Sequence, residues 1–224
     1  GIGEQLTPRG KAAGSGDPRA RQGVFGYIRA ELWIGAMLIA VVCTSAAMEI
    51  VRTMSPAIAV EQLHGSDSLA GLLVAAQSAG SGLGVLSFVP IRRRGLTRRI
   101  ATVAMVIQGV GLVGLSLAGA LPLAMVCAGL VGFGFSLCFP ALTGDLQLGV
   151  DERMRGRVMS VHQVAHLGNR PFTALIVGTV GALLGVPAAC LIGLVLVPAG
   201  SVMMRRGWRL LDARPAPAEE PSSA

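Results

Sequence analysis

Residues 149–160 read GVDERMRGRVMS and place five charged side chains, from Asp151 to Arg157, in an otherwise apolar part of the chain. The run VCAGLVGFGFSLCFPALTG (126–144) precedes this segment, and the run TALIVGTVGALLGVPAACLIGLVLVPAGSVMM (173–204) follows it. A helix needs about 20 predominantly apolar residues to cross the hydrocarbon core of a bilayer. A short basic segment between two such runs is typical of a loop at a membrane surface.

The composition assigns the whole chain to the membrane class. Apolar residues make up 52% of the 224 residues, charged residues only 14%, and the mean hydropathy is +0.64. Soluble domains carry about 25% charged residues, so this chain has too few to cover a surface in water. Six segments meet or approach the length of a membrane span, and each must be helical because lipid does not satisfy an open backbone. These six predicted spans are residues 32–51, 69–90, 100–118, 123–143, 158–184 and 187–204.

The basic residues alternate from one connection to the next. Seventeen of the 19 Lys and Arg residues lie in the two tails and in the second and fourth connections. The first connection holds only Arg52, and Arg170 lies inside the fifth span. Cytoplasmic segments carry an excess of Lys and Arg, so both termini and residues 149–160 are predicted to be cytoplasmic. Trp33 and Trp208 are predicted to anchor the cytoplasmic ends of the first and last spans at the interface.

Several other classes of protein do not fit this pattern. The net charge of +7 does not indicate a nucleic-acid partner, because the arginines are scattered between apolar spans and aromatic residues make up only 4%. The four cysteines lie in apolar runs without C-x-x-C spacing, so we expect buried side chains and neither a metal site nor a cofactor. The chain has no H-E-x-x-H, no G-x-S-x-G and no nucleotide-binding motif, so an enzyme is not expected.

The charged segment and the residues after it resemble a known family. In ERMRGRVMS followed by HLGNRPFTALIVG, a G-R-V-x-S element precedes a G-x-R-P element that enters the next span. The matching residues are Gly156, Arg157, Val158, Ser160, Gly168, Arg170, Pro171, Leu175 and Gly178. This order is similar to the segment between the tenth and eleventh helices of major facilitator superfamily transporters, and closest to the drug and siderophore exporter branch that includes the enterobactin exporter. Thr173 stands where that branch often has Gly.

Three further segments carry the same resemblance. Residues 21–40 are similar to the lead into the branch's seventh helix, and residues 54–84 resemble the end of that helix, its external loop and the eighth helix. GVLSFVPIRRRGLTRR (84–99) resembles the second copy of the superfamily's cytoplasmic loop motif, although the usual aspartate is missing. The resemblance implies an all-α membrane protein whose six transmembrane helices form the C-terminal half of a twelve-helix major facilitator fold.

The resemblance also implies a domain organisation. Residues 1–30 are expected to be a cytoplasmic linker, the central loop of a longer protein. Residues 31–206 are expected to form the six-helix half-domain, and residues 207–224 a disordered cytoplasmic tail. The predicted partners are the lipid bilayer, a small-molecule substrate and an N-terminal six-helix half that is missing from this chain.

The implied function is secondary active transport in the cell membrane. We expect proton-coupled efflux of small amphipathic molecules, drugs or siderophores, by alternating access between the two halves. The alternative is a non-transporting membrane scaffold, or a half-transporter that requires a partner half.

Five polar residues inside the spans are candidates for the substrate or proton pathway, because ionisable groups at membrane depth are costly and often functional. They are Glu49, Gln77, His166, Asn169 and Arg170. Glu49 would either pair with Arg52 at the interface or line a cavity. His166, Asn169 and Arg170 form a polar stripe with His162, which would either face a cavity or lie at the cytoplasmic interface. Gln77 precedes the small run AGSGLG, whose glycines serve either helix packing or substrate contact.

Four charged residues are candidates for a cytoplasmic gate. Asp145 ends the fourth span, and Arg153, Arg155 and Arg157 follow it. Asp145 would either pair with one of these arginines or remain a solvated loop charge. Gly156 is expected to permit a close backbone approach that brings Arg157 against a neighbouring helix end.

Overall fold

The computed structural model describes residues 23–214, and all of its regular structure is helical. The helices are α1 (Val24–Ala30), α2 (Leu32–Ala57, extended by a π-helical turn over Ile58–Gln62), α3 (Ser68–Arg93), α4 (Thr97–Ser116), α5 (Leu121–Gly149), α6 (Glu152–Leu184), α7 (Val186–Leu191) and α8 (Gly193–Asp212). Six helical segments are long and apolar enough to cross a membrane, with α7 and α8 together forming the sixth. The prediction of an all-α protein with six membrane-spanning helices is confirmed.

The charged segment 149–160 is mostly helix, which corrects the prediction of a loop. Only Val150 and Asp151 separate α5 from α6, and the carbonyl of Asp151 accepts the first backbone hydrogen bonds of α6. Met154 and Val158 are buried on one face of the first turns of α6, whereas the charged side chains of these turns are exposed. Hydropathy alone places the start of the span too late, because these first turns are amphipathic and extend beyond the apolar run.

The other end of the domain also differs from the prediction. Helix α8 continues to Asp212, so the first residues assigned to the tail 207–224 are helical. Gly207 and Trp208 are buried there, and a Cβ added at Gly207 would lie 3.1 Å from the side chain of Met37. In the predicted linker 1–30, the last residues form α1. Residues 1–22 and 215–224 lie outside the described residues.

Helix α2 is the most buried of the six spanning segments and α6 is the least buried. Helix α2 packs against α3, α5, α6 and α8, while α5 packs chiefly against α3 and α4. One apolar core lies toward the predicted cytoplasmic side around Trp33, Met37 and Met204. A second core lies toward the opposite side around Leu73, Leu112 and Leu115.

Glycines bring α5 into direct backbone contact with two neighbours. A Cβ added at Gly80 of α3 would collide with the backbone of Gly129, and a Cβ at Gly132 would collide with the carbonyl of Gln77. On the other side, a Cβ at Gly134 would collide with the carbonyl of Ala104 in α4. Small residues permit such close approach between membrane helices. Of the alternatives for the glycines in AGSGLG, the structure supports packing for Gly80 and Gly84, whereas Gly82 has open space beside it.

The C-terminal end of α2 is shaped by a proline. Pro56 has no N–H to offer to the carbonyl of Arg52, and the hydroxyl of Ser55 donates to that carbonyl instead, at 3.0 Å. The helix then widens into the π-helical turn. Gln62 at its end donates from Nε2 to the carbonyls of Leu115, at 3.0 Å, and Ala118, at 2.9 Å. This amide therefore ties the end of α2 to the carbonyls at and just beyond the C-terminal end of α4.

Candidate functional site

Three polar contacts join α2 to α6, and we call them the α2–α6 seam. The Asn169 side chain donates from Nδ2 to the carbonyl of Val42 at 3.3 Å. Ser45 Oγ lies 2.7 Å from His166 Nδ1. Arg170 Nε lies 3.7 Å from Glu49 Oε2. All of these residues lie in the middle portions of their helices, so a membrane around the helices would place the seam far from either surface.

The Glu49–Arg170 ion pair is the charged part of the seam. The side chain of Glu49 is 17% exposed and that of Arg170 is 41% exposed. Glu49 thus pairs across the helix interface, and the local pair with Arg52 is not among the ion pairs within residues 23–214. The polar stripe lies well inside α6, because that helix begins at Glu152.

An aromatic column lies beside the seam, in the space between α5 and α6. We use this name for Phe135 and Phe139 of α5 together with His162 and His166 of α6. The Phe135 and Phe139 ring centroids are 5.1 Å apart, and those of Phe139 and His166 are 4.4 Å apart. His162 is fully buried, with Nε2 3.2 Å from Thr143 Oγ1, and its Nδ1 has no hydrogen-bond partner among the described residues.

The structure brings four of the five pathway candidates together. Glu49, His166, Asn169 and Arg170 lie in the seam, but Gln77 does not. Gln77 is fully buried between α3 and α2, where its Nε2 donates to the carbonyl of Met48 at 2.9 Å. Within residues 23–214 no group of three or more His, Cys, Asp or Glu side chains could hold a metal ion.

Sequence reasoning missed two hydroxyl-bearing residues of α2. Ser45 belongs to the seam, and Thr44 is joined to Gln108 of α4 by two buried hydrogen bonds, of 2.9 Å and 3.0 Å. A signal for both was present, because Thr44 and Ser45 interrupt the apolar stretch that leads to Glu49, and Gln108 is the one strongly polar residue in the middle of α4. The Thr44–Gln108 pair fastens α4 to α2 inside the membrane.

The predicted gate arginines do not contact Asp145. Arg153, Arg155 and Arg157 are exposed on the first turns of α6, and none of them forms an ion pair within the described residues. The space beside Gly156 is open, so the expected close approach there is wrong. The early start of α6 is the physical reason, since it holds these arginines on an exposed helical face.

Asp145 is instead held by α4 and α8. Trp208 Nε1 donates to Asp145 Oδ2 at 2.6 Å, and Arg98 Nε lies 3.7 Å from the same oxygen. Arg98 also donates from Nη1 to Asp212 at 2.7 and 2.8 Å. Arg98 belongs to the segment RRRGLTRR that lacks the motif's usual aspartate, so the basic part of that motif is engaged. Asp145 is therefore not a solvated loop charge in this structure.

A second polar cluster joins α1, the α5–α6 junction and the end of α8. Arg214 donates to Glu31 Oε1 at 3.0 Å and to the carbonyl of Gly149 at 2.9 Å. Tyr27 donates from its hydroxyl to Asp151 Oδ2 at 3.1 Å. Burial raises the pKa of Tyr27 above its ordinary value, so this hydroxyl remains a donor at neutral pH.

Both tryptophans are buried rather than exposed to the membrane interface. Trp33 is 2% exposed and donates from Nε1 to Glu31 Oε2 at 3.1 Å. Trp208 is 7% exposed and donates to Asp145. The prediction placed them at the correct helix ends, but the rings fill the core, and their indole nitrogens find partners inside the domain.

Comparison with known proteins adds one finding. A family model described as Major Facilitator Superfamily matches residues 37–224, which is most of the chain. No curated protein matches the chain.

Proposed function

The chain belongs to the major facilitator superfamily, a family of membrane transporters, and we propose that it forms part of a proton-coupled exporter of small amphipathic molecules. Alternating access needs a binding site near the middle of the bilayer, between two six-helix units that rock against one another. The six helices of this chain fit one such unit. The proposed location is the cell membrane, with both termini cytoplasmic, because seventeen basic residues lie on one side of the predicted topology and one lies on the other.

The observation that carries this proposal is the Glu49–Arg170 pair in the α2–α6 seam. An ionisable side chain at the centre of a bilayer costs about 2.5–3.5 kcal/mol on insertion scales. Such residues face the interior of a bundle or a water-filled cavity, and they mark ion and substrate pathways. The Arg170 side chain is 41% exposed on the least buried helix of the unit. A water-filled cavity shared with a second six-helix unit would give its charge a polar environment.

The seam also provides a means of coupling proton binding to a change in helix arrangement. Protonation of the Glu49 carboxylate would remove one charge of the ion pair and release the Arg170 side chain from α2. Since the pair joins α2 to α6, the protonated and unprotonated forms would favour different arrangements of these helices. A ligand or proton shifts an equilibrium only when it interacts differently with the two states, and this pair offers such a difference.

The test is transport by the complete protein in proteoliposomes under an imposed pH gradient. Ethidium and anilinonaphthalene sulfonate serve as amphipathic probes of opposite charge. We expect Glu49→Gln to abolish proton-driven export of the transported probe and to preserve its exchange in the absence of a pH gradient. Glu61→Gln is the matched control, because Glu61 is an exposed carboxylate on the same helix outside the seam.

Two results would contradict the proposal. Unchanged proton-driven export in Glu49→Gln would show that this carboxylate does not couple protons to transport. If the correctly inserted, complete protein moves neither probe under any gradient and a wider set of amphipathic probes gives the same result, the alternative of a non-transporting scaffold would be favoured.

A further inference from the structure

A groove between α1, the start of α2 and the end of α8 has the composition of a lipid-binding site. It encloses about 300 Å³, and its apolar lining includes Ile28, Leu32, Ile39 and Met203. Gly35 lies in its wall, where the absence of a side chain leaves space, since the nearest atom to an added Cβ is 4.0 Å away. The groove lies on the side of α2 that meets α8, apart from the α2–α6 seam.

Two arginines line the same groove. Arg29 is in the last turn of α1 and Arg206 is in the cytoplasmic part of α8. Both are exposed, and neither forms an ion pair with another described residue. This distinguishes them from Arg98 and Arg214, which are engaged by carboxylates.

We infer that this groove binds an anionic phospholipid of the cytoplasmic leaflet, with its phosphate at Arg29 and Arg206 and an acyl chain against Leu32, Gly35 and Ile39. Guanidinium groups bind phosphate oxygens through paired hydrogen bonds. Basic pockets between spanning helices on the cytoplasmic side recognise acidic headgroups. A phospholipid carries a charged headgroup and an acyl chain in one molecule, so it would occupy both the two arginines and the apolar part of the groove. A free phosphate would occupy only the arginines.

The exposed apolar residues around the groove support a position in the membrane surface. Phe25 on α1 is 73% exposed and Leu32 is 60% exposed. Glu31, between α1 and α2, leaves the helical conformation with φ −103° and ψ 77°, so α1 is bent away from the direction of α2. A short helix with outward apolar side chains and a terminal arginine is suited to the boundary between headgroups and acyl chains.

The test is lipid binding to the purified complete protein, measured by native mass spectrometry and by thermal shift with added phosphatidylglycerol or phosphatidylcholine. We expect phosphatidylglycerol to be retained and to raise the melting temperature more than phosphatidylcholine does. The double variant Arg29→Gln/Arg206→Gln should bind phosphatidylglycerol at least about tenfold more weakly, since it removes both guanidinium groups that would donate charge-assisted hydrogen bonds to the phosphate.

Two controls separate a specific site from general attraction. Arg153→Gln/Arg155→Gln removes the same charge from exposed positions on α6 outside the groove, and binding should stay within about twofold. Gly35→Leu keeps both arginines but fills the apolar part of the groove, so it should weaken lipid binding. Inorganic phosphate at millimolar concentration should neither compete with the lipid nor raise the melting temperature.

Equal losses in the two double variants would overturn the inference and indicate diffuse electrostatic attraction. Equal binding of the two phospholipids, or competition by inorganic phosphate, would also overturn it. Each measurement is independent of transport, so the lipid site can be tested even if the proposed export function fails.

Discussion

Helix α5 meets its neighbours in two different ways. Toward α3 and α4, glycines such as Gly132 and Gly134 bring backbone against backbone. Toward α6, the space is filled by the aromatic column of Phe135, Phe139, His162 and His166. Backbone contact leaves no side chain that can rotate, whereas rings can tilt and re-stack at little cost in contact area. From this difference we expect α3, α4 and α5 to behave as a rigid block, and α6 to shift relative to α5 more readily than α3 or α4 does.

The helix ends on the predicted cytoplasmic side repeat this contrast. Asp145 at the end of α5 is tied to α4 by Arg98 and to α8 by Trp208. The arginines at the start of α6 form no ion pair within residues 23–214, although Asp151 at that start accepts a hydrogen bond from Tyr27 of α1. A rocking motion would therefore separate α6 from α5 more readily than it would separate α5 from α3 or α4.

The largest expected effect is at the glycine contact. Gly132→Val would place side-chain atoms against the carbonyl of Gln77, and neither backbone can give way without moving a whole helix. We expect a loss of roughly 3 kcal/mol or more in stability, as for severe overpacking, or failure to obtain folded protein. Thermal melting and size-exclusion profiles of the complete protein would measure this.

Gly82→Val is the matched control for that variant. Gly82 lies on α3 with nothing within 4 Å of an added Cβ, so its melting temperature should change little. If the two variants behaved alike, the rigid-block interpretation would fail.

A smaller effect is expected in the aromatic column. His162→Phe keeps a ring between α5 and α6 and removes an unpaired buried nitrogen, so stability should change by less than about 1.5 kcal/mol. His162→Ala removes the ring and should cost about 2–4 kcal/mol through the cavity it leaves. Denaturation of both variants in the same detergent gives the comparison.

If His162→Phe and His162→Ala destabilised the protein equally, the hydrogen bond between His162 and Thr143, and not the ring, would be what joins α5 to α6. That outcome would remove the contrast between the two sides of α5.

The smallest effect on stability is expected at Arg157. Its side chain is exposed and the neighbouring Gly156 has open space, so Arg157→Ala should change stability by no more than about 0.5 kcal/mol. Transport at matched membrane expression tests the gate separately. If Arg157 forms a hydrogen-bonded contact in another state of the cycle, Arg157→Lys should be impaired nearly as much as Arg157→Ala, because Lys lacks the planar fork. Normal transport by both variants would leave Arg157 with a role in topology only.

Parts of the candidate site were predictable from the sequence, for local reasons. Glu49 stands out because it is charged inside a long apolar run, and His166, Asn169 and Arg170 stand out because they recur with His162 at helical spacing within one predicted span. Ser45 was missed because a hydroxyl in an apolar helix is too common to indicate a site by itself. The predicted arginine partner of Asp145 was wrong because the arginines nearest to it along the chain are not the nearest in space. Arg98, which lies beside Asp145, comes from another connection.

The sequence by itself determined the number of spans, their helical nature, the alternation of basic connections and the family. The spans and the basic connections depend on the hydropathy or charge of one segment at a time, since a bilayer acts on every span independently, and the family depends on the order of short motifs along the chain. Only the tertiary structure decided that Glu49 meets Arg170, that Trp33 and Trp208 turn inward, and that α6 begins at Glu152. These outcomes depend on how each helix is rotated and how closely it approaches its neighbours. In this fold, glycines on one side of α5 and rings on the other set those distances.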